Sequence, residues 1–181
     1  LGALPQSPVL AQFEQAAGGE AANILVVMAG YKSGTAANAE GKKYTAGLSA
    51  AYQQVFVPAD QTEPITLPAG ITGILVIGKD QSLLPGAALA PLKEAWLQGT
   101  PMLLDNAAAA LAGSDYANHE PTPTEGEEVE AATQRSFLQG RTQFADGLGL
   151  IPAIFEPRLV DNNRWGRLFS LAYNHPQQVA F

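Results

Sequence analysis

Apolar residues fall along the chain in two alternating rhythms. Ser7-Pro8 followed by Val9, Leu10, Phe13 and Ala16 or Ala17 at helical spacing predicts a helix. The serine oxygen can cap its first turn, proline suits its first position, and Gly18-Gly19 ends it. Asn23–Ala29 (NILVVMA) is a continuous apolar run, the pattern of a strand buried on both faces. Gly30–Gly34 is a glycine-containing loop, and Asn38–Tyr52 is expected to be helical, with Tyr44, Leu48 and Ala51 on one face and Gly47 weakening it. A short strand is expected at Val55–Val57, a connection over Pro58–Gly70, and a second strong strand at Ile71–Gly78 (ITGILVIG). A helix from Ala90 or Pro91 to Gln98, closed by Gly99, precedes a third short strand, Pro101–Leu104. Ala107–Ala112 reads as the start of a helix and Tyr116–Glu128 as an exposed loop rich in Pro, Thr and Glu. Val129–Leu138 is expected to be helical, Leu150–Phe155 to be a strand, and Asn163–Tyr173 to be a helix with Trp165, Leu168, Phe169 and Ala172 on one face.

Strands alternating with helices predict an α/β fold: a three-layer sandwich with a mostly parallel sheet and helices on both faces. Strands are expected at 23–29, 54–57, 72–78, 100–104 and 150–155 in one sheet, with Ile24, Val26, Val27, Ile74, Val76, Leu103 and Ile154 in the core. Ligands of such folds sit beyond the carboxyl ends of the strands, so chemistry is sought after Ala29, Gly78, Leu104 and Phe155.

The 181 residues suit a single domain, 1–181, with a core of its own. The start at Leu1 suggests a processed product or part of a longer protein and, with the absence of cysteine, leans the localisation toward a secreted or cell-envelope setting. Without cysteine there is no disulfide framework, iron–sulfur centre or cysteine nucleophile. Ten Lys and Arg against 17 Asp and Glu give a net charge of −7, which argues against a nucleic-acid surface. No apolar run approaches the roughly 20 residues of a transmembrane helix. No cofactor or metal is expected. The expected partner is another protein or a second copy of the chain.

Three segments at expected strand ends carry the candidate chemistry: Gly78-Lys79-Asp80-Gln81, Asp105-Asn106 with Ala107–Ala110, and Glu156-Pro157-Arg158 leading to Arg164-Trp165-Gly166-Arg167-Leu168. With Asp146–Pro152 (DGLGLIP), their order and spacing resemble the cyanophycinase-like serine peptidases, which have a class I glutamine amidotransferase-like fold. The resemblance runs from about Asn23 to Phe181. That family has a Gly-Gly-Asp-Gln turn, a Gly-Thr-Ser-Ala-Gly nucleophile elbow, a Gly-Leu-Gly-Leu segment, a strand ending in Asp-Gln-His-Phe, and an Arg-x-Gly-Arg-Leu helix start. Here Asp80-Gln81 is intact but Lys79 replaces a glycine of the turn. The resemblance puts Ala107 at the nucleophile, Asp105 and Ala109 at the elbow glycines, and Arg158 at the general-base histidine. Alanine cannot attack a carbonyl, and a guanidinium does not give up its proton at working pH. The implied catalytic positions are therefore degenerate, and no catalytic residue is expected.

The remaining candidates have plainer readings. Ser33 and Ser114 are substitute nucleophiles outside elbow geometry, with capping or surface duty preferred. His119 is expected to be solvated, and His175 to sit as a cation near a helix C-terminus. Asp105 and Glu156 either work as paired carboxylates or, the preferred reading, pair with Lys79 or Arg158 and fill the site. Asp161-Asn162-Asn163 reads as helix capping before a metal loop, Glu125–Glu130 as a solvated face, and Gly30–Gly34 as a loop without phosphate-loop spacing.

Three functions follow. The leading expectation is a catalytically inactive cyanophycinase-like domain acting as a structural or protein-binding unit. The second is an active serine hydrolase releasing dipeptides from aspartyl or isoaspartyl peptides. The third is a ligand-binding domain built on the strand-end residues Gly78, Lys79, Asp80, Gln81, Asp105, Asn106 and Glu156, with the Asp80-Gln81 corner at its centre.

Overall fold

The computed structural model describes residues 7–119, 129–138, 141–160 and 164–181. It is a mixed α/β structure that divides into two compact units, one running to Ala108 and the other from Ala109. Among the described residues no helix is long and apolar enough to cross a membrane.

The first unit opens with α1 (Pro8–Ala17), where Ser7 Oγ accepts from the Leu10 amide and Gly18, at φ 121°, ends the helix. β1 (Asn23–Ala29), β2 (Ala51–Phe56), β3 (Gly73–Gly78) and β4 (Met102–Asn106) form a parallel sheet in the order β2-β1-β3-β4. Alternation along β1 splits its side chains between two dry faces. Ile24, Val26 and Met28 join Leu75 and Ile77 under α1 and α2 (Gly34–Thr45), in a cluster with Leu10, Phe13, Ala37 and Tyr44. Leu25, Val27, Ile74 and Val76, on the other face, are equally buried. α3 (Pro91–Leu97) carries Trp96 and closes at Gly99.

Two expectations in this unit need correction. Ser33 Oγ accepts from the Ala36 amide at 3.3 Å, so α2 begins at Gly34 rather than Asn38. The chain leaves the helix before Gly47, and Tyr52 lies in β2, not on a helix. Gly41 is held inside α2, so glycine alone does not end it; Ala51–Phe56 give up helical form for a six-residue ladder with β1, and Gly47 lies in the stretch that makes the change.

The second unit contains β5 (Asp115–His119), paired antiparallel with β6 (Gln143–Asp146), and β7 (Ala153–Ile154), paired in parallel with β8 (Val179–Ala180). α4 (Val129–Phe137) and α5 (Trp165–Asn174) complete it, and Ala117, Ile154 and Leu171 form its core cluster. The expected strand at 150–155 is thus not a fifth member of the parallel sheet. Pro152 cannot donate to a ladder, and only two residues beyond it pair. Tyr116–His119 is strand rather than loop. Residues 120–128, with most of the glutamate run, and Asp161-Asn162-Asn163 lie outside the described residues. On α5 the buried face is not the apolar set read at helical spacing, of which Leu168 and Ala172 are half-buried. Gly166, Arg167, Ser170 and Leu171 are buried, while Trp165 and Phe169 are 40% and 50% exposed.

Candidate functional site

In the first unit, the carboxyl ends of β1, β3 and β4 gather the candidate residues. Gly30 has φ 71° and its carbonyl accepts from the Asp80 amide at 3.0 Å. A Cβ on Gly30 would stand 2.6 Å from the Asp80 carbonyl oxygen, so only glycine permits this approach. Asp80 caps a short 3-10 turn, Gln81–Leu83: its Oδ1 accepts from the Ser82 amide at 2.9 Å and the Ser82 hydroxyl at 2.7 Å. Gln81 is buried, and its backbone carbonyl accepts from the Leu84 amide at 3.2 Å. Lys79 is exposed and makes no ion pair among the described residues.

β3 and β4 bring Gly78 opposite Asn106. β4 then turns straight into a 3-10 helix, Ala107–Ala112. The residue that takes the tight corner is Asn106, at φ 57°, one position before the alanine that the resemblance puts at the nucleophile. Asparagine is one of the few non-glycine residues that tolerates this region. Ala107 is buried, and the Asn106 Oδ1 is buried with no hydrogen-bond partner among the described residues. A Cβ on Gly78 would meet the Ala108 amide nitrogen at 2.6 Å, so the strand end and the corner touch.

Asp105 is buried, and Tyr44 Oη donates to its Oδ2. Neither Lys79 nor Arg158 is its partner: the expected ion pair is replaced by a phenol delivered from the last turn of α2. Tyr31, at the end of β1, is also buried. Burial, with the carboxylates of Glu40 and Asp105 adding to it, holds its phenol well above the ordinary range. The corner is thus an acid, two phenols and an amide. It offers hydrogen bonds and negative charge, and no nucleophile at either elbow register. Ser33 is occupied in capping α2.

In the second unit, Glu156 has a fully buried side chain. Its oxygens lie 3.3 Å from Arg164 Nη1 and 3.6 Å from Arg167 Nε. Arg167 Nη2 also donates to the Ala117 carbonyl. The RWGRL segment therefore neutralises a buried carboxylate, and this draws Arg167 to the inner face of α5. Arg158, expected beside a carboxylate, is exposed with φ 61° and has no ion pair among the described residues.

Ser114 lies between the 3-10 helix and β5. Its hydroxyl donates to Asp115 Oδ2 at 2.5 Å and accepts from Gln178 Nε2 at 2.8 Å. His175 Nδ1 is 3.5 Å from the same Asp115 oxygen. Serine, aspartate and histidine are all present, but the carboxylate sits between the other two. A hydrolase needs the imidazole on the hydroxyl. His175 caps the C-terminus of α5, and its amide donates to the Leu171 carbonyl. His119 is exposed at the end of β5. Tyr116, buried in β5, has its phenol pushed up to about 12 by burial, with Asp146 adding to the shift.

In the sequence Arg164 and Arg167 stand out through the RWGRL motif but without a partner, Tyr44 only as one residue of a helix face, and Tyr31 not at all. Among the described residues no three His, Cys, Asp or Glu side chains gather as a metal-ligating set. No protein-family model matches the chain, and no curated protein matches it.

Proposed function

We propose that the chain is a non-catalytic domain of cyanophycinase-like organisation, acting as a structural or protein-binding unit. The observation that carries this reading is the corner after β4, where Asn106 takes the left-handed conformation and Ala107 follows it buried. Neither side chain can open an acyl-transfer reaction, whichever of the two registers is compared with a serine elbow. The hydroxyl of Ser114 adds support, because it is committed to a carboxylate and an amide.

The purified chain is expected to resist a fluorophosphonate probe and to release nothing above background from aspartyl or isoaspartyl dipeptides. Asn106→Ser and Ala107→Ser, one for each register, are expected to remain unlabelled, because neither gains an imidazole. Ala107→Ser combined with Arg158→His is expected to give at most a trace. Labelling of the unmodified chain that disappears in Ser114→Ala would overturn the reading and make Ser114 the nucleophile.

A further inference from the structure

Among the described residues β2 is the terminal strand of the parallel sheet and pairs only with β1. The Val57 amide, one residue past β2, donates to the Met28 carbonyl at 2.9 Å. Backbone groups alternate sides along a strand, so Ala51, Gln53 and Val55 direct theirs toward β1, and Tyr52, Gln54 and Phe56 direct theirs outward. Edge strands are usually protected by charge, proline, a bulge or a covering element. AYQQVF contains neither a charge nor a proline, its register with β1 is unbroken, and Ala51–Gln54 are exposed, Tyr52 by 47%.

We propose that two copies of the chain pair through β2, antiparallel about a two-fold axis at Gln54. In this register Gln54 lies opposite its own copy, and Tyr52 of each strand lies opposite Phe56 of the other. All three pairs join outward-facing groups, so each exchanges two backbone hydrogen bonds. The strand suits itself because the residues equidistant from Gln54 are both aromatic, and aromatic cross-strand pairs are favourable. They also share one face of the sheet, the face of α2: Gln54 Nε2 donates to Thr45 Oγ1 at 3.5 Å, and a Cβ on Gly34 would touch the Phe56 ring at 3.3 Å. A charged peptide would find no counter-charge on this strand, whereas a second uncharged strand needs none. Strand pairing of this length buries less than about 1,200 Å² in total, which belongs to the weak, concentration-dependent class of interface. The pairing is independent of whether the strand-end site is catalytic.

Sedimentation of the full chain is the test, with concentration raised from micromolar to near-millimolar. The weight-average mass is expected to climb from 18.9 kDa toward twice that value. Gln54→Lys, which sets like charges face to face on the axis, is expected to hold it at the monomer value with an unchanged circular dichroism spectrum. The absence of cysteine gives a check on register. In Gln54→Cys the two Cα atoms face each other about 5.5 Å apart, within disulfide reach. In Tyr52→Cys they are about 14 Å apart along the strands. Mild oxidation is expected to link the first variant at least roughly tenfold faster than the second. A mass that stays at 18.9 kDa, equal linking of the two variants, or a dimer that survives Gln54→Lys would each overturn the proposal.

Discussion

Glu156 is the residue on which the second unit is most exposed to a single change. Its carboxylate is withdrawn from water and answered by two guanidinium groups. Removing one member of such a set leaves the opposite charge buried and unanswered, at a cost of about 3–5 kcal/mol. Glu156→Ala is expected to lower unfolding stability by that order in urea titration, whereas Arg158→Ala, at an exposed position, should change it little. The buried phenols act at the other end of the pH scale. Tyr116 ionises near its ordinary 10.0 when unfolded and at about 12 when folded. Below pH 10 both states are neutral and its contribution is constant. Between 10 and about 12 the unfolded chain loses a proton that the folded chain keeps, so stability falls as pH rises through that window. Urea midpoints measured across it should decline, and the slope should be shallower in Tyr116→Phe.

At the scale of elements, the long strands and the short ones are unequal. β1 and β3 are central in their sheet, flanked on both sides, and buried on both faces. β7 and β8 pair over two residues each. Amides that open only with a whole core exchange slowest, while those in short ladders exchange through local fluctuation. The amides of Val27 and Val76 are therefore expected to outlast that of Ile154 in hydrogen exchange, although all three side chains are completely buried. The same inequality explains which elements were legible. NILVVMA and GILVIG announce themselves because burial on both faces leaves no polar position to blur the pattern. β2 carries two glutamines and an exposed tyrosine, so only its end, 54–56, reads as strand in the sequence, and Ala51 and Tyr52 read as helix. β5 and β6 owe their existence to each other, across a long separation that local periodicity does not record.

Among the described residues each unit has a core cluster of its own, a large one under the parallel sheet and a small one around Ile154 and Leu171. Leu150–Phe155 carries the apolar pattern of one more strand of the same sheet, but only Ala153–Ile154 pair, and with β8. Gly78, Asp105 and Asn106 do lie at strand ends, whereas nothing in the local pattern shows what binds Asp105. That answer lies 61 residues away in sequence, in Tyr44, and no local pattern contains it. The ion pairs expected for Lys79 and Arg158 failed for a related reason: both side chains are exposed, and water satisfies them without a partner.

Each unit also carries its own optical reporter. The chain has two tryptophans, one in each unit: Trp96 on α3 and Trp165 at the start of α5, with 36% and 40% of their surface exposed. Each indole is part shielded, so its emission moves to longer wavelength when its own surroundings dissolve. Trp96→Phe leaves a chain whose fluorescence reports the second unit alone, and Trp165→Phe one that reports the first. Melting the two variants side by side turns the division at Ala108 into a pair of colour changes, coincident if the cores dissolve together and staggered if they do not.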